Sequence, residues 1–422
     1  MRVRLFTNDR EGVFIRRPNR FLIIAGDEKT GETIACHCPN PGRLIEFVFP
    51  GARLILEKRA GTAGTKKASP AAKTAYSAVG IYYRDQVAPL FSSRANKAAE
   101  KLLLRRIIPG LREIRPEYTL GSSRFDFLCL DDAGRRHLVE VKACSLIEYS
   151  VAMFPDAPSG RALKHLEELA ALSAEGYRCH VLFVIVHGNP RKFIPNLHTD
   201  PLFAAALSRY GRAALPPSQE KSGSADIPGK PVIIHAALLR CDREGLAVLA
   251  KSFVPADLSH GELAGANRGN YLILLELSQR AEAAIGSLGT ISFEPGWYVY
   301  AGSAQKNLSQ RINRHLRKIR KQKHWHLDYL TPYAERIKAL PIFSYRNLEC
   351  ALAGELRKLG GRPVAGFGSS DCGCKKIYRD PSHLYYFSDP PMGNRSFVSM
   401  LLRYRHREGL KKESPGEPAE KQ

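Results

Sequence analysis

The 422-residue chain is 44% hydrophobic and carries 64 Lys and Arg against 41 Asp and Glu, a formal charge of +23. Such an excess favours polyanionic partners, with nucleic acid the foremost soluble one; a basic surface from an Arg-rich genome is the plain alternative. No apolar run reaches the roughly 18–20 residues of a bilayer span, the N-terminal MRVRLF has no signal core, and nine unevenly spread cysteines argue against a disulfide framework, so a cytoplasmic protein without membrane contact is expected.

Residues 1–90 read as short strands between turns, for example 21–25 and 52–57, the pattern of a small barrel. Arg16, Arg17 and Arg20 stand beside Phe21, and Arg43 follows a Pro-Gly turn; basic groups next to an aromatic suit a strand-binding groove, or simply coat a barrel. Ala98, Leu102, Leu103 and Ile107 then fall at helical spacing within 95–108. Strands at 124–130, 136–142 and 179–186, with a helix over 160–173, give residues 91–215 an α/β character.

Period-2 alternation puts Arg124, Asp126 and Leu128 on one strand face, and Leu138, Glu140 and Lys142 on one face of the next. A hairpin through the turn at 131–134 brings Asp126 and Glu140 onto neighbouring strands. Two carboxylates there suit Mg²⁺ or Mn²⁺, and Lys142 would orient a water or stabilise charge on a phosphate. Solvent-facing salt-bridging charges are the plain alternative. Glu117 is a further carboxylate upstream, and the rigid segment 154–158 presents Asp156.

A Pro-, Ser-, Gly- and Lys-rich stretch, 216–229, reads as a linker, and 406–422 as a disordered tail. Between them, 230–405 reads as an α+β module: strands at 231–240, 271–277 and 297–301, a basic helix over 308–323 and a helix over 348–359. Arg311 and His315 are one turn apart on the basic helix, and Arg314, Arg317 and Lys318 extend its positive face toward a phosphate backbone. Cys350, Cys372, Cys374 and His383 form a possible soft-metal set, although C-x-C departs from the usual zinc spacing.

Longer motifs sharpen this outline. HCPNPGR at 37–43, SSRFDF at 122–127, VEVK at 139–142 and FPDAPSGRALKHLEEL at 154–169 resemble the sugar fermentation stimulation protein A family, with Pro41 where that pattern has Thr. The resemblance implies an OB-like barrel, a PD-(D/E)XK nuclease-like α/β domain, DNA binding and a nuclease role for DNA or RNA. Asp126, Glu140 and Lys142 would be its core, with Glu117 and either Lys164 or His165 as supports. YVYAGSA at 298–304, RINRHLRK at 311–318, HWHLDYL at 324–330 and GFGSSDCGC at 366–374 are similar to a domain related to the GIY-YIG nucleases. That similarity implies roles for Tyr271, Tyr300, Arg311, His315 and a metal-holding Glu349, with Glu355 as the alternative. The stretch from Tyr271 to Tyr300 is longer than a compact hairpin of that superfamily. The rival to a metal-dependent nuclease is a non-catalytic nucleic-acid-binding regulator built on nuclease folds.

Overall fold

The computed structural model describes residues 1–59, 74–216, 229–318, 322–368 and 381–411. The chain forms two compact units, 1–262 and 263–422.

In the first unit, β1 (Arg2–Arg4) is followed by β2 (Arg10–Asn19), β3 (Leu22–Gly26), β4 (Thr33–His37), β5 (Arg53–Lys58) and β6 (Tyr76–Tyr83). β4, β3, β2, β5 and β6 pair in that order, and β4 closes on β6 through Cys36–Tyr76 and His37–Ser77. This is the expected closed barrel. Phe14, Ile23, Ala25, Ile34, Cys36, Leu54, Leu56 and Ile81 fill it, because alternate residues of each strand point inward.

β7 (Gln86–Pro89) leads from the barrel into a second set of strands. These are β8 (Leu111–Leu120), β9 (Ser123–Asp131), β10 (Arg136–Cys144), β13 (Arg178–Ile185), β16 (Val232–Cys241) and β17 (Leu246–Lys251), with the short β11 (Leu146–Glu148), β12 (Val151–Phe154), β14 (Lys192–Pro195) and β15 (Gly211–Ala213) beside them. β10, β13 and β16 are mutually parallel, while β8 and β9 add antiparallel strands at one side. One face is covered by a helical stretch made of α1 (Ala95–Ala98), a π-helical turn (Ala99–Leu103) and α2 (Leu104–Ile107). The other is covered by α3 (Gly160–Ser173) and α4 (Pro201–Tyr210). Ser159 caps α3 by accepting from Ala162 N–H, and Asp200 caps α4 from Phe203 N–H.

The strand expected at 231–240 exists, but it does not open the C-terminal module. As β16 it pairs parallel with β13 over Cys179–Val232 to Ile185–Leu238, and β17 joins β16 to β1. The first unit therefore runs to 262, not 215, and the second begins near 263 rather than 230. VIIHAALL is buried on both faces, and such a run carries no mark of the sheet it joins. The expected linker lies almost wholly outside the described residues. The expected tail divides: Tyr404–Glu408 continues a helix, and 412–422 lie outside the described residues.

The short α5 (Gly261–Ala266) spans the division between the units. The second unit holds β18 (Gly269–Leu277), β19 (Ala281–Ala284), β20 (Thr290–Phe293), β21 (Gly296–Ala304), β22 (Arg336–Phe343), β23 (Arg362–Pro363) and β24 (Leu384–Phe387). Its helices are α6 (Leu308–Leu316), α7 (His326–Leu330), α8 (Glu349–Lys358) and α9 (Arg395–Arg403). The main sheet has the order β22-β18-β21-β24-β23, and α8 and α9 pack on it through Leu352, Leu356, Phe397 and Leu401. The extra length between Tyr271 and Tyr300 is the separate β19–β20 hairpin, so β18 and β21 still pair directly. The basic helix ends at Leu316, short of the expected 323, with Arg317 extended; the five Lys and Arg among residues 317–323, with no acid between them, repel one another and disfavour further turns. Residues 319–321 lie outside the described residues.

Candidate functional site

In the first unit, the β9–β10 ladder runs from Leu130–Arg136 to Phe127–Val139 and then stops. Past that point Val141 N–H donates to the side chain of Asp126, at 2.7 Å from Oδ2, instead of to a strand carbonyl. Asn96 of α1 donates to Asp126 Oδ1 at 2.7 Å. The strand break thus clamps the Asp126 carboxylate beside Glu140. Glu140 is buried, and its Oε1 accepts from Lys142 Nζ at 2.5 Å and from His165 Nδ1 at 2.6 Å. Its Oε2 is buried without a hydrogen-bond partner.

Burial, and then the charge of Glu140, raises the Asp126 carboxyl above its ordinary value. Burial pushes Glu140 up too, but the His165 hydrogen bond and the Lys142 charge outweigh it and hold Glu140 below the ordinary range. Asp126, Glu140, Lys142 and His165 are therefore one connected group. Lys164 is not part of it; it points to Glu168 at 3.5 Å. Glu117 lies between the pairs Pro116–Phe127 and Tyr118–Phe125, opposite Asp126, where it is exposed and bridges Arg124 at 3.0 Å rather than joining the Glu140 hydrogen bonds. Asp156 is turned to the barrel instead. A Cβ on Gly42 would fall 1.7 Å from Asp156 Oδ2, so the HCPNPGR turn and the FPDAP segment interlock only with glycine there. Asn96 was missed because a lone Asn on a helix carries no signal until the fold sets it against a carboxylate.

The predicted basic groups of the barrel separate into two kinds. Arg16, Arg20 and Arg43 are exposed, and Arg20 stacks over Phe21, itself 52% exposed. Arg17 is committed to structure: its guanidinium donates to the carbonyls of Gly42, Arg43, Arg20 and Asn40, holding the 40–43 turn.

In the second unit, the β18–β21 register sets Tyr271 against Gly302 and Ile273 against Tyr300. A Cβ on Gly302 would lie 2.5 Å from the Tyr271 ring, so this glycine lets the ring cross the strand. Tyr271 Oη and His315 Nε2 are 3.0 Å apart, and the Tyr300 ring centroid is 6.5 Å from that of Tyr271 and 6.1 Å from that of His315. Arg311 lies over the Trp325 ring at 4.6 Å and hydrogen bonds with Tyr271. Glu349, at the start of α8, accepts from Ser303 Oγ at 2.5 Å and pairs with His383 Nδ1 at 2.8 Å. Burial raises the Tyr271 and Tyr300 hydroxyls. Glu355, the alternative, faces Lys358 and Arg403 instead.

All five residues singled out here are thus brought together; Ser303 and His383 are additions. Arg314 and Lys318 leave the predicted phosphate-facing set. Arg314 bridges buried Asp328 at 3.0 Å, and Lys318 donates to the carbonyls of Ala334 and Glu335. Arg317 stays exposed. Of the soft-metal set, Cys372 and Cys374 lie outside the described residues, Cys350 is disulfide-bonded and His383 is engaged with Glu349. Six other cysteines are free thiols. Among the described residues no three His, Cys, Asp or Glu side chains converge as a metal cluster, and no helix is long and apolar enough to cross a membrane.

A closed OB barrel leading into a strand-and-helix layer with a buried carboxylate–lysine site, followed by a separate α+β unit, defines a multidomain protein of the OB-containing class. Family models match as the SfsA N-terminal OB domain over 15–89, the sugar fermentation stimulation protein RE domain over 93–215 and the domain of unknown function DUF123 over 270–405. The sugar fermentation stimulation protein homolog of Desulfitobacterium hafniense (strain DSM 10664 / DCB-2) is 37% identical over 202 residues, covering 48% of this chain and 84% of that protein. The homolog of Pyrobaculum neutrophilum is 35% identical over 251 residues, covering 59% of this chain and 94% of that protein. A solved structure of Pyrococcus furiosus SfsA in complex with Ca²⁺ matches at 27% identity with a TM-score of 0.48, covering 60% of this chain and 99% of that one. The chain belongs to the sugar fermentation stimulation protein family, with a DUF123 domain at its C-terminus.

Proposed function

We propose that this protein is a nucleic-acid-binding, metal-dependent phosphodiesterase of the PD-(D/E)XK kind, with a GIY-YIG-like second module. The observation that carries the reading is Glu140: a buried carboxylate with one oxygen bound by Lys142 and His165 and the other without a partner, next to a second carboxylate. A divalent cation satisfies such an oxygen; Mg²⁺ or Mn²⁺ would be held by Glu140 and Asp126, and when bound it would supply an acidified water and neutralise phosphate charge. Asn96 and the Val141 amide orient Asp126. His165 fixes Glu140, and the Lys142 ammonium, paired with Glu140, would offset negative charge on a scissile phosphate. The exposed Arg16, Arg20, Phe21 and Arg43 offer positive charge and a stacking ring to a DNA or RNA strand. In the second module, Tyr271, Tyr300, Arg311 and His315 would act on a phosphodiester, with Glu349 holding a metal.

A regulator that binds nucleic acid without cleaving it is the second reading, favoured by the absence of a third converging acid among the described residues. The test is to incubate the full chain with labelled single- and double-stranded DNA and RNA, with and without Mg²⁺ or Mn²⁺, beside Glu140→Gln. Metal-dependent cleavage lost in the variant supports the enzyme; binding without cleavage under every condition supports the regulator.

A further inference from the structure

Outside both sites, three buried histidines stand on three consecutive parallel strands: His137 on β10, His180 on β13 and His235 on β16. His137 is level with Arg178 and His180 with Ile233, so each histidine sits two residues further along its strand than the last. The rings link nitrogen to nitrogen. His137 Nδ1 and His180 Nε2 are 3.0 Å apart, as are His180 Nδ1 and His235 Nε2. At the near end His137 Nε2 meets Asp131 Oδ2 at 3.2 Å.

Asp131 determines where every proton in this row sits. Burial opposes its charge, but hydrogen bonds from Arg135 and His137 outweigh that and hold it strongly ionised. An ionised carboxylate only accepts, so His137 donates from Nε2 and presents a lone pair at Nδ1. His180 must then donate from Nε2 and accept at Nδ1, and His235 must donate from Nε2. Burial keeps the rings neutral, with the proton affinity of His235 lowered to about 4. The end of the row is a lone pair on His235 Nδ1.

No described residue hydrogen-bonds to that nitrogen. His235 lines a pocket of about 260 Å³ whose walls include Ile107, Leu215, Phe253, Arg106 and Ser252. The volume lies below the roughly 300–1,000 Å³ of drug-sized sites, enough for one small ring. Among the described residues no carboxylate lines it, so none of them favours a cation there, and the lone pair repels an anion that brings no proton. The geometry points to a binding site for a single nucleobase-sized ring that donates a lactam N–H to His235 Nδ1, with Phe253 and the Arg106 guanidinium available to its faces. The choice of a base rests on the nucleic-acid reading above; the hydrogen-bond polarity does not.

The test uses the full chain with ¹⁵N-labelled histidine. Ring resonances should show His235 protonated at Nε2 and bare at Nδ1; the opposite tautomer overturns the proposal. 1-Methyluracil, which keeps one ring N–H, should shift the His235 Nδ1 signal saturably. 1,3-Dimethyluracil, which has none, should bind roughly tenfold more weakly, the worth of one buried hydrogen bond. Equal responses, or none to either, overturn it. Asp131→Asn adds a reversal. The amides of Ala133 and Arg135 donate to Oδ1, so the carbonyl of the new side chain stays there and its NH₂ replaces Oδ2 against His137, while the half-exposed Arg135 side chain, which donates to Oδ2 at 2.5 Å in the wild type, swings out to solvent. All three tautomers then invert, and 1-methyluracil binding should be lost in a folded variant; retained binding overturns the relay. If that variant fails to fold, the two wild-type measurements still decide. Loss of DNA and RNA binding by the wild type with 1-methyluracil binding intact would refute the nucleic-acid reading and leave this pocket standing.

Discussion

Truncation after residue 215, where the RE-domain match ends, should leave the first unit unable to fold, whereas a fragment ending at 262 should fold. The shorter fragment lacks β16 and β17. Val232, Ile234, Leu238 and Leu239 of β16 are each at most 2% exposed. Burying one such side chain is worth about 1.5–3 kcal/mol, so the four together contribute roughly 6–12 kcal/mol. That equals the whole net stability of an ordinary domain, about 5–15 kcal/mol. The loss also bares the edge of β13, an apolar strand buried along nearly all its length, and removes the partner of β1. Urea unfolding followed by circular dichroism, with size-exclusion chromatography, compares 1–215 and 1–262. A monomeric 1–215 fragment that unfolds cooperatively at the same midpoint as 1–262 would refute the assignment of 232–251 to this unit.

Four further outcomes are expected. Glu140→Gln and Asp126→Asn in the full chain should abolish metal-dependent cleavage while binding, read by gel shift, persists; Lys142→Ala should slow cleavage by roughly two to three orders of magnitude, the range for loss of one charge-stabilising group. Because the folded Glu140 carboxyl is held below its ordinary 4.5, its stabilisation is complete above that value and fades as pH falls through the lowered one, so acid-unfolding curves of wild type and Glu140→Gln should converge at low pH. Replacing Arg16, Arg20 and Arg43 together by Ala should reduce the slope of log affinity against log salt, by about 0.7–0.9 per lost phosphate contact, whereas Arg17→Ala should lower the melting temperature because its four carbonyl contacts are structural. A 263–422 fragment should fold; there Gly302→Ala, whose methyl meets the Tyr271 ring, should destabilise it, and Arg311→Ala or Glu349→Gln should abolish any cleavage without unfolding it.

Much of this architecture was legible in the chain because local periodicity dictates it. Alternation placed the β9–β10 hairpin and put Glu140 and Lys142 on one face, and a capped amphipathic pattern bounded α3 at Gly160 and Ser173. Motif spacing brought together Tyr271, Tyr300, Arg311, His315 and Glu349, although which of Glu349 and Glu355 faces inward was settled only by how α8 packs. Sequence distance concealed the rest. A strand buried on both faces does not declare its partner, so β16 could be assigned only once β13 offered its edge. Surface and structural arginines have the same composition, and Arg17, Arg314 and Lys318 became structural through carbonyls and a carboxylate brought to them by the fold. The histidine row draws on residues 131 to 235: hydrogen-bond polarity passes from ring to ring only where three parallel strands set the rings 3.0 Å apart, a distance no local pattern encodes.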